Sequence, residues 1–375
     1  MNKYLKRTIK IIAFIIPLIL VIFALQEFVL CHIDHNKLRI DGFYLEDKKS
    51  LDVVLTGASE LYSGFSPGLA YEKFGYTSFP YATASITAGA AITQFKEILR
   101  TQNPKLILVE INPFLYPDDG NETNEGSIRK YIDNVPLNQN KIDYVEELNP
   151  EHKEEYYFPL IKYHSSWSEY PGGVKFLFPL VGQHFRGYTL LKGYKSNTNA
   201  CSDDGSYLNK QLVNDSKTLP LYADSENKLR VLLKFCQDHN LNVVFFRAPH
   251  LTPKSQYNTF CRSNRAGEII REYGFDFLNF ERDSVTANYP AEDYYNVQHL
   301  NLYGSEKFTE YLGGIIRDKY HVQPSALTET QKLQWTEAVD YYHQFYRCCD
   351  DKIKSGINME INEDLIGIRE IAKYQ

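Results

Sequence analysis

Leu51-Asp52-Val53-Val54-Leu55-Thr56-Gly57-Ala58-Ser59-Glu60 is the stretch whose reading decides the fold. A short β-branched and aliphatic run ending at glycine reads as a buried strand, Asp52 to Thr56. Gly75-Tyr76 is a turn, and Thr77 to Tyr81 a second short strand. Ser85 to Thr101 reads as a helix, with Ser85 as its cap and Ala88, Ala91, Ile92, Phe95, Ile98 and Leu99 at helical spacing. Asn103-Pro104 stops it, and Leu106 to Ile111 is the clearest buried strand in the chain. Strand, helix and strand at this spacing make a βαβ unit. The expected fold is therefore α/β, a three-layer α/β/α arrangement around a parallel sheet.

The alternation breaks after residue 113 and resumes near 222. Between them lie Tyr116, Tyr131, Tyr144, Tyr156, Tyr157, Phe158, Tyr163, Trp167, Tyr170, Phe176 and Phe178. This reads as an aromatic-rich insertion (113–222), either core and partner-facing or a platform for stacking on sugars. Beyond it come helix Ser225–His239, strand Leu241–Phe246, helix Arg262–Tyr273, strand Phe275–Phe280 and helix Asn301–Lys319. The α/β domain is thus expected over 51–323, with a helical extension over 324–375.

The N-terminus is a separate unit. Lys3, Lys6, Arg7 and Lys10 precede an uncharged run from Ile11 to Leu25. About 20 apolar residues span a bilayer core, and Ile9 to Leu30 is long enough if Gln26 and Glu27 reach the far interface. The basic flank places the N-terminus in the cytoplasm and the rest outside. This predicts a single-pass anchor over 1–30 and a polar stalk over 31–50. A cleaved signal fits less well, because Ile22 stands where a small residue is expected before Ala24; Leu30 before Cys31 argues against a lipoprotein.

Charge and cysteine narrow the function classes. Outside the first 30 residues there are 37 basic and 46 acidic side chains. That balance argues against nucleic acid as a partner, since phosphate binding needs a basic footprint. The six cysteines show no zinc-ligand spacing, so no metal site is expected. An exported chain could pair some of them, in a connectivity the sequence leaves open.

In parallel sheets, ligands bind beyond the carboxyl ends of the strands. Ser59 lies just past the first strand, Asn112 past Leu106–Ile111, Arg247 and His250 past Leu241–Phe246, and His299 before the last helix of the domain. Four loops thus converge on one rim. A serine on a sharp turn with a late histidine is one way such a sheet builds a nucleophilic acyl-ester site.

These residues also carry a likeness. Gly57-Ala58-Ser59, a Pro-Lys-strand-Asn stretch ending at Asn112, and His299-Leu300-Asn301-x-x-Gly304 resemble the SGNH/GDSL hydrolase superfamily, whose sheet is flavodoxin-like. Within it the chain looks most like the membrane-anchored bacterial branch, which includes DltD-like proteins of teichoic-acid D-alanylation and polysaccharide O-acetyltransferases. The likeness covers about Leu51 to Gly313 apart from the insertion. It implies Ser59 as nucleophile, His299 as general base, and Asn112 with a backbone N–H near Ala84-Ser85 as oxyanion donors. It also implies a cell-envelope glycopolymer as substrate, a membrane-bound O-acyltransferase as partner and no soluble cofactor. Arg247 and Glu60 are expected to contact substrate.

Two departures bear on activity. Glu110 and Pro113 flank Asn112 where the family often has glycine and aspartate. Asn296 stands three residues before His299, where the family has an acid. The amide can accept from the imidazole but carries no charge, and the same exchange in another serine hydrolase costs about 10⁴ in kcat. Asp293 or Glu292 could replace the missing acid, the site could run as a Ser-His dyad, or catalysis could be lost. The alternative function is therefore a non-catalytic scaffold that binds glycan or supports an acylation complex. A sensor ectodomain is disfavoured by the short cytoplasmic tip.

Overall fold

The computed structural model of the chain describes residues 3–33, 36–117, 125–165, 174–357 and 360–361. Trp167 and Tyr170 of the aromatic insertion lie outside them. The central sheet has five strands: β1 (Val53–Gly57), β2 (Ser78–Ala82), β3 (Leu106–Glu110), β4 (Val243–Arg247) and β5 (Asp276–Asn279). Their order is β2-β1-β3-β4-β5, and every neighbouring pair is parallel. The chain is α/β, and helices cover both faces of this sheet.

Alternation along the strands builds the two faces. Val54, Ile107, Val109, Val243 and Phe245 point to one side and join a core with helices α4 (Ala88–Thr101), α6 (Ala223–Asp238) and α7 (Tyr257–Glu272). Val53, Leu55, Leu106, Leu108, Val244 and Phe246 point to the other, against α3 (Ser59–Gly64) and α8 (Leu302–Asp318). Near-continuous apolar strands are what a sheet buried on both faces requires. The capping threonine of α4 is Thr87, whose hydroxyl accepts from the Ala90 amide. Ser85, the expected cap, sits instead in the preceding turn at φ +55°.

The N-terminal helix α1 (Lys3–Ile33) is long and apolar enough to cross a membrane between Lys3 and Glu27. The next segment is not a stalk. Helix α2 (Asn36–Leu45) is buried against the body, with Phe43 stacked on Tyr81 at 4.0 Å between centroids. The polar reading of residues 31–50 counted charges without their partners. Lys37 pairs with Asp41 at 2.6 Å and Glu27 at 2.5 Å, so its buried ammonium is compensated.

In the insertion, the described residues form short helices, α5 (Val174–Arg186) among them. Tyr131, Tyr144 and Tyr156 are buried, and the Tyr44, Tyr81 and Tyr131 hydroxyls form a chain ending on Glu97. These rings belong to the core, not to an open stacking platform. Among the described residues after Pro324, α9 (Glu329–Lys354) starts with a Thr328/Gln331 capping box and buries Trp335, Tyr342 and Phe345, and Glu360–Ile361 pairs with Ser196–Asn197.

Candidate active site

The strand order reverses direction between β1 and β3, the crevice where open α/β sheets bind ligands. The cleft there measures about 300 Å³ and is lined by Ala58, Ser59 and Glu60 after β1, Ser85 to Thr87 after β2, and Asn112, Pro113 and Tyr116 after β3.

The turn that presents Ser59 is fixed from several sides. Gly57 has φ +148°, and a Cβ there would meet the Glu110 Cβ at 2.8 Å, so β1 ends on a glycine of necessity. Gln94 on α4 accepts from the Gly57 amide at 3.1 Å and from the Thr56 hydroxyl at 2.6 Å. Ser59 then opens α3.

His299 comes from a tight antiparallel hairpin in which Asn296 pairs with His299. Asn301 closes the hairpin by capping α8, accepting from the Tyr303 and Gly304 amides. Gly304 is packed so closely on the Asp293 carbonyl that a side chain would collide with it.

Nε2 of His299 lies 2.7 Å from Ser59 Oγ, and Nδ1 lies 2.8 Å from Asn296 Oδ1. The same Oδ1 accepts from the Gln298 backbone N–H at 2.9 Å. An amide N–H can only donate, so the atom facing both groups is oxygen, not nitrogen. Nδ1 of His299 therefore carries the proton, and Nε2 is the acceptor that faces the serine hydroxyl. Tyr295 stacks on the imidazole at 5.0 Å and 13°. Burial is the largest cause that lowers the His299 pKa, to about 4; nearby Glu60 opposes it, and His250 and Lys195 add to it. His299 is a neutral imidazole at neutral pH.

Asp293 does not replace the missing acid. Its carboxylate is held by Lys307 Nζ at 2.6 and 2.8 Å and makes no hydrogen bond to His299 among the described residues. Glu292 presents its backbone carbonyl to Asn301 and makes no hydrogen bond to His299 among the described residues. The partner of His299 is Asn296 itself.

Arg247 is not a rim contact either. Its side chain is 1% exposed and lies beneath the cleft. One guanidinium nitrogen donates to Asn112 Oδ1 at 2.5 Å and sits 3.4 Å from Glu110; another sits 3.3 Å from Glu281. His250 joins them, 3.2 Å from Glu281 and 3.6 Å from Glu60. Glu60 borders the cleft, yet its side chain is 2% exposed and faces His250.

Electrostatics in this cluster follow from counting. Burial raises the carboxyl of Glu60, but the His250 contact and the His299, His250 and Arg247 charges outweigh it and lower it to about 2. Glu281 is likewise lowered to about 2, against burial, by Arg247 and His250. His250 is raised, because Glu281 and Glu60 outweigh burial and Arg247. Glu110 is pushed up to about 8, by burial first and the Glu60 charge second.

Asn112 gains a defined orientation from this. Arginine only donates, so Oδ1 faces Arg247 and the Nδ2 donors are left to the cleft side. Ala84, the other expected oxyanion position, packs inward against the core of the α8 face, and its neighbour Ser85 borders the cleft. Glu281 gave no signal in the sequence. Glu110 did: a lone charge at the end of an apolar strand calls for a buried partner.

A second cleft, of about 270 Å³, holds Arg129, whose guanidinium is taken by Glu125, Asp133 and Glu155. Its lining among the described residues includes no serine or cysteine. Among the described residues no group of His, Cys, Asp and Glu side chains is placed to hold a metal ion. No family model matches the chain, and no curated protein matches it.

Proposed function

We propose that this chain is a membrane-anchored, extracytoplasmic acyl-ester enzyme of SGNH/GDSL type, an O-acyltransferase or esterase acting on a cell-envelope polysaccharide or teichoic acid. The observation that carries this reading is the Ser59 Oγ–His299 Nε2 contact of 2.7 Å, with the tautomer that makes Nε2 the proton acceptor. Its position at the β1/β3 crevice supports it further.

The chemistry runs as two displacements. Ser59 Oγ attacks the ester carbonyl while its proton passes to His299 Nε2. The tetrahedral oxyanion is met by Asn112 Nδ2 and backbone N–H groups at the Ser59 and Ser85 turns. The imidazolium gives its proton to the leaving alkoxide, and an acyl-serine remains. An acceptor hydroxyl of the glycopolymer, or water, then loses its proton to His299 and attacks the acyl carbon, which frees Ser59. The likeness stated above adds a membrane-bound O-acyltransferase as the source of acyl groups. The reaction as written needs no metal or soluble cofactor.

A serine-reactive fluorophosphonate tests the reading directly. Full-length protein is labelled and the adduct mapped by mass spectrometry. The adduct is expected on Ser59, absent in Ser59→Ala and strongly reduced in His299→Ala. A folded wild-type protein that takes no label at Ser59 overturns it.

One observation favours a second reading. No carboxylate hydrogen-bonds His299 among the described residues, and its pKa is low, as in a scaffold that has lost turnover and kept binding. Glycan binding that survives Ser59→Ala, with no labelling of wild type, is the outcome that supports it.

A further inference from the structure

Helix α1 changes character along its length. It is bare from Lys3 through Ala24, is partly covered from Leu25, and at Val29 is 4% exposed. The changeover falls beside Glu27, the first charge after the apolar run. If α1 spans a bilayer, this is the level at which it leaves the acyl core. The cover at α1 comes from α5 and from the short helix Pro159–Lys162, both packed against it.

Both covering helices leave large apolar side chains bare. On α5, Phe178 is 73%, Val181 43% and Phe185 88% exposed. They are spaced by three and four residues, so they share one face of the helix. The opposite face is anchored: Leu180 is buried with Leu38 of α2, and the Gln183 side-chain amide donates to the Leu38 carbonyl at 3.2 Å. Next to the neighbouring helix, Phe158 and Ile161 are 48% and 46% exposed. Basic Lys162 and Arg186 close the two helices.

We propose that α5 lies in the headgroup–acyl boundary of the bilayer that α1 crosses, with Phe178, Val181 and Phe185 set among the acyl chains and Phe158 and Ile161 beside them. The occupant of this face is lipid. An aromatic and aliphatic stripe at the level where a span ends, with basic residues at its edge, is the composition of an interfacial helix. Contiguous exposed apolar surface of this kind marks a partner or a membrane, and the contact with α1 selects the membrane. The body is then held to the bilayer by two elements. Through α2 and the Phe43–Tyr81 stack, this fixes the sheet, and the cleft with it, at one height and tilt.

The inference rests on α1 being a membrane anchor, and the experiment separates the two. Full-length protein carrying Phe14→Trp, Phe178→Trp or Phe185→Trp is placed in phosphatidylcholine nanodiscs, with acyl chains brominated near the headgroup or near the chain ends. Fluorescence is read as the difference from the parent protein. Phe14→Trp should be quenched most by deep bromines, and Phe178→Trp and Phe185→Trp most by shallow ones, each with a roughly twofold loss of the added signal. An unquenched Phe14→Trp overturns the anchor and this proposal together. A quenched Phe14→Trp with unquenched Phe178→Trp and Phe185→Trp overturns the proposal alone, and assigns that face to a protein partner.

Discussion

Asn296→Asp isolates what an acid beside His299 would do. In the serine hydrolase where the reverse exchange costs about 10⁴ in kcat, the loss reflects a wrong histidine tautomer. Here the tautomer is already right, because the Gln298 N–H fixes Asn296 Oδ1 toward His299 Nδ1 at 2.8 Å. Only the charge is lacking. Unit charges about 4 Å apart attract by about 4 kcal/mol at an effective dielectric of about 20 and about 1 kcal/mol in bulk water. Asn296 is exposed at the rim, so an intermediate value of about 2 kcal/mol applies after solvent screening. That is about 1.5 pKa units, and moves His299 from about 4 into the range of about 5 to 6. The same term stabilises the imidazolium in the transition state, so acylation should rise by about 30-fold, well short of 10⁴. The assay is the second-order rate of fluorophosphonate labelling and of p-nitrophenyl acetate hydrolysis, each from pH 4 to 8. Labelling unchanged in rate and in pH midpoint would show that His299 is not the proton acceptor. A gain near 10⁴ would refute the tautomer argument.

Other outcomes follow from the same geometry. Wild-type labelling should be flat from about pH 5 to 8 and fall only as His299 protonates near pH 4; a midpoint near 6.5 would show that burial does not depress it. Asn112→Ala removes the proposed oxyanion donor and should cost about 10² to 10³ in kcat; it also takes an acceptor from buried Arg247, so the rate is read on protein shown to be folded by circular dichroism. Glu281→Gln leaves Arg247 and His250 short of a counter-charge and should destabilise by about 3 to 5 kcal/mol in urea titration. Glu110→Gln should be tolerated at pH 7 and should flatten the fall of stability between about pH 4.5 and 8. Glu110 is raised in the folded state to about 8, so its contribution is full below about 4.5 and lost as pH rises toward 8. The wild-type slope from this group is at most about 1.4 kcal/mol per pH unit, and equal slopes in wild type and variant would show that Glu110 is ionised throughout.

What was legible in the sequence was local. Asp52–Thr56, Leu106–Ile111 and Leu241–Phe246 read as buried strands because each is an apolar run closed by a turn signal, and the sheet has strands there with ends shifted by one or two residues, Val53–Gly57, Leu106–Glu110 and Val243–Arg247. The start of α4 was misplaced because Ser85 and Thr87 are both competent caps, and only the left-handed turn at Ser85 decides between them. Residues 36–45 looked solvated because Lys37, Arg39 and Asp41 were counted singly. The pairing of Lys37 depends on Glu27, ten residues earlier in the chain, which no local pattern records. Arg247 was legible as a rim position and illegible as a buried one, since Glu281 and Glu110 reach it from two other strand ends. The orientation of Asn296 was beyond sequence reasoning altogether, because it is set by one backbone N–H.

The buried cluster explains how this cleft holds its polar side chains in place. Three carboxylates, Glu60, Glu110 and Glu281, meet two cations, Arg247 and His250. Two carboxylates are held ionised and the third protonated, so the cluster is neutral, as a desolvated group of charges must be. Its members come from the residues after β1, the end of β3, the end of β4 and its following loop, and the loop after β5. It therefore ties together the loops that carry Ser59 and Asn112. Glu60 follows Ser59 and Arg247 holds Asn112 Oδ1, so one neutral network fixes the positions of both Ser59 and Asn112, the nucleophile and oxyanion donor of the proposed reaction. The glutamate at position 110 then has a defined place in this network. It is the proton-bearing member that lets three acids share two bases, and its loss should be felt first in the pH dependence of stability and only secondarily in the rate.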